Sequence, residues 1–197
     1  MSGETRLSRA ENVAHTRRAL IDAALDLFAK QGYDNTTTEQ IAEYAGVSAR
    51  TFFRYFPTKE SVLLHGEAGF VRSFASLFRV QPDTMADLEA ARSSFVTLAP
   101  TVSRLRDRIK LYRKAVASSP TLRGREHNGH EANISIISRA IADRRSMLAP
   151  DADCELLATI WLLVLDRATT RWLNGPARSS LADAIVAEFD RLAKVLG

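Results

Sequence analysis

The sequence predicts an all-α protein, and three observations predict it. Apolar residues recur at helical spacing: Leu20, Ala24, Leu27 and Phe28 fall at i, i+4, i+7 and i+8, and Leu181, Ile185, Phe189, Leu192 and Leu196 repeat the stripe near the other end. The N-terminal region shows no strand-like alternation. Most strong punctuators, among them Gly32, Gly46, Pro57, Pro82 and Pro120, fall between the periodic stretches rather than inside them.

Composition sets the outer limits. A chain of 197 residues forms one or two compact domains with a real core, and 46% hydrophobic with 25% charged residues is ordinary for a globular protein. Cys154 is the only cysteine, so no intrachain disulfide forms. The opening MSGETRLSRAENVAH lacks a signal peptide's apolar run, and the longest apolar run, Ala158–Leu165, is far too short to span a bilayer. A cytoplasmic protein with no membrane partner is expected. The net charge of +4 and pI near 9.5 point weakly to a polyanionic partner. Residues 1–60 hold 8 Lys/Arg and 8 Asp/Glu, so the basic excess lies beyond them.

Taken in order, residues 1–12 read as a loose arm, and a first helix runs from about Ala14 to Gln31, closed by Gly32. A short second helix spans Thr38–Ala45. Thr37 and Gln40 have capping-box spacing, and Gly46 ends the helix at the position where a left-handed residue costs least. Ser48 caps a third helix, Ala49–Phe56, which Pro57 terminates. At about 100° per residue with Arg50 as zero, Arg54, Thr51 and Tyr55 lie within an arc of roughly 140°, while Phe52, Phe56 and Phe53 fill the opposite side. Two turns thus carry three rings for anchoring and four hydrogen-bonding side chains for display. Helix, Gly-Val-Ser turn, helix is the layout of a helix-turn-helix, whose second helix enters the DNA major groove.

The remainder is helical in pattern. A fourth helix, capped by Thr58, is expected to run to about Phe78, about 20 residues or roughly 30 Å; Phe70, Phe74 and Phe78 repeat every four residues along it. Met85–Leu98 follows, Pro100 interrupts, and Val102–Ala117 and Leu122–Met147 come next. Pro150-Asp151 opens an eighth helix that stops near Asn174-Gly175-Pro176 and is apolar nearly all round its middle. The last helix is Ser179–Leu196. Two adjacent helices of this kind suggest a pair that docks on its own symmetry mate.

The stretch ALDLFAKQGYDNTTTEQIAEYAGVSARTFFRYFPTKESVL, within residues 20–64, resembles the DNA-binding segment of the tetracycline-repressor (TetR-type) family. The resemblance implies an N-terminal three-helix DNA-binding domain with its arm, 1–57, and a C-terminal helical ligand-binding and dimerisation domain, 58–197, with about nine helices in all. It implies a homodimeric regulator, a repressor released from a near-palindromic operator on double-stranded DNA by a small hydrophobic or amphipathic effector. No cofactor is implied. The family's contacts fall on Thr37, Arg50, Thr51, Phe53, Tyr55 and Lys59, with Arg54 on the same face. Phe53 stands where tyrosine is usual and Tyr55 where histidine is common, while Arg50 replaces a frequent glycine and adds a donor that reaches guanine O6/N7. Lys59, at the positive end of the fourth helix, is disfavoured there unless a phosphate sits beside it.

Other features leave two readings open. Arg6, Arg9, Arg17 and Arg18 are either a solvated arm or minor-groove or phosphate contacts. Phe74, Phe78, Phe95, Tyr112, Trp161 and Leu165 are core or the wall of a ligand cavity, with Arg113 and Arg167 as anchors for an anionic head. His127 and His130 share a helix face, but two imidazoles without a cysteine make a polar helix end the expected reading, and no metal site is assigned. No nucleophile–base pair, phosphate loop or dinucleotide fingerprint is visible, so an enzyme is not expected. The alternative is a helical scaffolding protein with a DNA-binding-like module, supported by the missing basic excess in residues 1–60.

Overall fold

The computed structural model describes residues 9–64 and 67–196. Every regular element among them is helical: α1 (Arg9–Gln31), α2 (Thr38–Tyr44), α3 (Ala49–Tyr55), α4 (Ser61–Leu64), α5 (Glu67–Arg79), α6 (Asp87–Ser103), α7 (Arg106–Ser118), α8 (Pro120–Arg144), α9 (Ala152–Asn174) and α10 (Leu181–Leu196). The expected arm is helical from Arg9 onward, and Arg6 lies outside the described residues. The expected fourth helix is described in two pieces, α4 and α5; its continuity rests on residues 65–66, which are also outside.

The chain forms two compact units. One gathers residues up to 65 with Asp107–Arg125, and the other gathers 66–106 with 126–197. The first unit's core joins Leu20, Ala24 and Phe28 of α1, Ile41 of α2, Phe52 and Phe56 of the α3 region, and Ala115 and Val116 of α7. Its outer face is tied by Arg108, which donates to Asp22 at 2.6 Å.

The second unit is built round stacked rings. Phe74 and Phe78 of α5, Phe95 of α6, Trp161 of α9 and Phe189 of α10 are all at most 1% exposed. Two arginines fasten its loops. Arg106 donates to the carbonyls of Trp172 (2.7 Å), Gly175 (2.8 Å) and Ala177 (2.9 Å), satisfying the open end of α9. Arg144 donates to the carbonyls of Gln81 (2.7 Å), Pro82 (2.6 Å) and Met85 (2.6 Å) and fixes the α5–α6 turn.

Pro100 does not break its helix as expected. It lies inside α6 on the exposed side, where the lost backbone donor is cheapest, while Ala91, Phe95 and Ala99 keep the opposite face buried through it. The break comes instead at Arg104–Leu105, between α6 and α7.

Candidate nucleic-acid interface

The interface is assembled by local rules that hold α2 and α3 rigid. Thr37 caps α2 as a full capping box: the Gln40 amide donates to the Thr37 hydroxyl at 3.2 Å, and the Thr37 amide donates to the Gln40 side chain at 3.0 Å. Beyond Ala45 the chain turns through Gly46 at φ 70. The Val47 amide then donates to the Ala42 carbonyl at 2.9 Å and the Gly46 amide to Glu43 at 3.0 Å. This is a Schellman closure, which fixes the entry into α3. Ser48 caps α3 by accepting from the Thr51 amide at 3.2 Å.

Phe52 and Phe56 anchor α3, at 0% and 1% exposure, with ring centres 5.9 Å apart. Phe53 does not join them as the wheel suggested: it is 51% exposed, its ring edge-on to Phe52 at 5.4 Å. The reason lies in the wheel itself, since Phe53 stands only about 60° from Arg50 and so on the flank of the displayed face. Arg50, Phe53 and Arg54 are exposed, Thr51 and Tyr55 partly so. Among the described residues, no carboxylate or carbonyl takes a hydrogen bond from Arg50 or Arg54. One short helix therefore presents two unspent guanidiniums beside an exposed ring.

Lys59 is placed differently from expectation. Its ammonium donates to the carbonyls of Tyr33 at 2.7 Å and Thr36 at 2.8 Å, and it sits 4.0 Å from the Tyr33 ring centre. Burial, opposed by the charges of Glu60 and Asp34, holds its pKa below the ordinary lysine value. The lysine braces the turn before α2, so its position needs no phosphate to explain it.

Arg17 is left open by the sequence between a solvated arm and a DNA contact. It stands on α1, partly buried, with its guanidinium 5.9 Å from the Tyr55 ring centre, while that of Arg54 lies 5.2 Å from the same ring. Two sequence signals point to it, its place in the Arg6, Arg9, Arg17 and Arg18 cluster and its helical phase, three residues before core residue Leu20. Charge was also hidden by chain order. Segment 107–125 brings six basic residues and one acid into the first unit, which then holds 14 Lys/Arg against 9 Asp/Glu, while the second unit holds 13 against 14.

The expected effector set is only partly brought together. Phe74 and Phe95 stack with ring centres 4.0 Å apart, Phe78 lies 5.2 Å from Trp161, and Leu165 is half-buried on α9. Tyr112 instead packs against the first unit's core, and Arg113 belongs to the same unit, because both lie on α7. Arg167 is an exposed α9 residue that meets Glu188 at 3.4 Å. Arg171 and Arg191 approach the same buried carboxylate at 3.1 and 3.6 Å. Arg167, Thr170, Arg171 and Glu188 line an open groove of about 390 Å³. Cys154 is fully buried, and burial pushes its thiol pKa up, so it is a packed small residue.

Residues 20–65 match the family described as bacterial regulatory proteins, tetR family, and residues 84–197 match the family described as the MftR C-terminal domain. The HTH-type transcriptional regulator RutR of Escherichia coli K12 is 30% identical over 166 residues, covering 78% of this chain and 74% of RutR. The chain belongs to the TetR family. It is thus a helix-turn-helix transcriptional regulator, and the capped α2–α3 pair lies within the segment, residues 20–65, that matches the family. The regulator TcmR of Streptomyces glaucescens is 39% identical over 99 residues, which cover 50% of this chain and only 42% of TcmR. In fold, the TetR-family repressor FadR of Thermus thermophilus, solved with lauroyl-CoA, matches with a TM-score of 0.53 at 24% identity over 90% of this chain and 93% of FadR. The described residues contain no helix long and apolar enough to cross a membrane.

Proposed function

We propose that this TetR-family protein is a homodimeric repressor whose α3 reads a near-palindromic operator and whose second unit takes a small amphipathic effector that releases it. The observation that carries the reading is the contrast on α3: two rings sunk into the core, and Arg50, Phe53 and Arg54 exposed beside them. In the proposed complex Arg50 reads a guanine edge, while Thr51, Arg54, Tyr55 and Thr37 meet bases or backbone. Lys59 serves as a brace. The scaffolding alternative loses its support, because the basic excess it found missing belongs to the first unit through residues 107–125.

Self-association is supported by α9, which leaves Leu156 and Leu163 58% and 57% exposed, seven residues apart and so on one face. A two-fold pair would place two copies of α3 about one DNA turn (34–36 Å) or a multiple apart. Effector binding is proposed to work through the Phe74, Phe78, Phe95 and Trp161 cluster. These rings are buried, so in the proposed complex a ligand enters by displacing them, and packed cores then settle into a second arrangement rather than bending continuously. An acyl thioester fits the apolar lining, and the lauroyl-CoA bound to FadR is in keeping with that chemistry. A coupling of about 1–3 kcal/mol gives about 5–150-fold weaker operator binding.

A salt-dependent gel shift on genomic fragments, with and without an acyl-CoA, tests the reading. It expects tight binding to few fragments, falling steeply with salt and released by the acyl-CoA. Uniform weak binding to all fragments would contradict the regulator, and binding unaffected by acyl-CoA would contradict the effector.

A further inference from the structure

Arginines in this protein that are drawn into its surface are spent. Arg106 and Arg144 each hold backbone carbonyls, and Arg108 holds Asp22. Arg17 breaks the pattern. It is partly buried and its Nε is enclosed without a hydrogen-bond partner. The Nε of Arg106 is enclosed likewise, but Arg17 alone of these makes no other hydrogen bond or ion pair among the described residues, and its guanidinium lies 5.9 Å from the Tyr55 ring centre. Packing alone does not account for it, because an apolar side chain would cover the same ring without leaving a buried donor unpaired. Arg54 leans on that ring too, so two guanidiniums share one aromatic platform, and among the described residues neither is ion-paired. An anion beside the ring would be attracted by both charges.

We propose that Arg17 is a DNA-backbone contact, a guanidinium that α1 carries to the edge of α3 and Tyr55 holds ready for a phosphate. This rests on the reading that α3 enters the major groove. Tyr55 stands in the last turn of α3, so a side chain arriving there from another helix meets the strand that borders the groove rather than the base edges within it. Phosphate is also the acceptor that guanidinium forks match best, through paired N–H donors. The ring restricts the long side chain beforehand, so less freedom is lost on binding.

The test is the salt dependence of binding to an operator fragment and to random-sequence DNA. It compares wild type, Arg17→Gln, Arg17→Met, and Arg178→Gln as an exposed cation of the second unit. Arg17→Met keeps the packing over Tyr55 without the charge, and thermal midpoints confirm that each variant folds. Both Arg17 variants should flatten the log–log salt slope by about one per bound chain and weaken operator and random DNA by the same factor. Arg178→Gln should leave the slope unchanged. Wild-type slopes in both Arg17 variants overturn the proposal, as does a loss confined to one base position, which would make Arg17 a base reader. A wild type that binds no DNA is a different failure, that of the reading beneath it.

Discussion

At the scale of single residues, Lys59 shows how a side chain changes meaning once its neighbours are known. From the sequence it is a cation at the wrong end of a helix dipole. In the fold it donates to two backbone carbonyls of the turn between α1 and α2. Lys59→Met should therefore lower the stability of the protein by about 1–3 kcal/mol, the range for losing charge-assisted hydrogen bonds, measured by denaturant unfolding. A stability equal to wild type with weaker DNA binding would return Lys59 to the phosphate role. Arg50 carries the opposite expectation. Arg50→Ala should leave stability unchanged and cost about 1–3 kcal/mol in operator binding, with relaxed preference at one base position. Ser146 holds a third. It closes α8 with φ 56, in the left-handed region, through the Met147 amide on Ala142 at 2.8 Å. Ser146→Gly should stabilise the protein by about 1 kcal/mol, since that conformation penalises a β-carbon. An unchanged or lowered unfolding midpoint would show that the strain is relieved elsewhere.

At the scale of elements, capping and periodicity made α1 to α3 legible before any coordinates. The capping box at Thr37, the left-handed Gly46 and the Ser48 cap are local chemistry, decided within four residues. The misplacements share a different cause. Phe53 was assigned to the core by hydrophobicity when its helical phase put it on the flank. Pro100 was read as a stop, although tertiary burial of Ala91, Phe95 and Ala99 carries α6 through it. Residue type makes Tyr112 core or cavity wall and Arg113 an anchor beside it, and nothing in their own segment says that α7 packs with α1. The final helix pair needed the same correction. Phe189 is 1% exposed and 6.1 Å from the Phe95 ring, so it is core rather than interface. Phe189→Ala should cost about 3–5 kcal/mol in stability whatever the oligomeric state. Leu163→Glu, on the exposed α9 face, should instead halve the mass seen by light scattering while the unfolding midpoint of the chain stays near wild type. A wild-type protein of one-chain mass would remove the dimer.

At the scale of the whole molecule, the basic excess of the chain belongs to one of its two compact units. The first unit is net +5 and the second net −1, with the difference supplied by a segment more than forty residues downstream of the reading helix. Along the sequence the excess stands at 107–125, and it joins the reading helix's unit only because that segment folds back among the first sixty-five residues. A localised positive field of this kind concentrates a protein near DNA and accelerates encounter, and in the proposed complex α3 supplies the choice of sequence. The central claim is that α3 makes this choice, with Arg50 foremost. Selection of bound fragments from a random-sequence DNA pool, run with wild type and Arg50→Ala, tests it most directly. The account predicts that wild type enriches a near-palindrome with half-sites about one helical turn (34–36 Å) or a multiple apart. Arg50→Ala should enrich the same frame with one base position per half-site relaxed. The same motif at the same strength from both proteins would contradict the account, as would no motif from either.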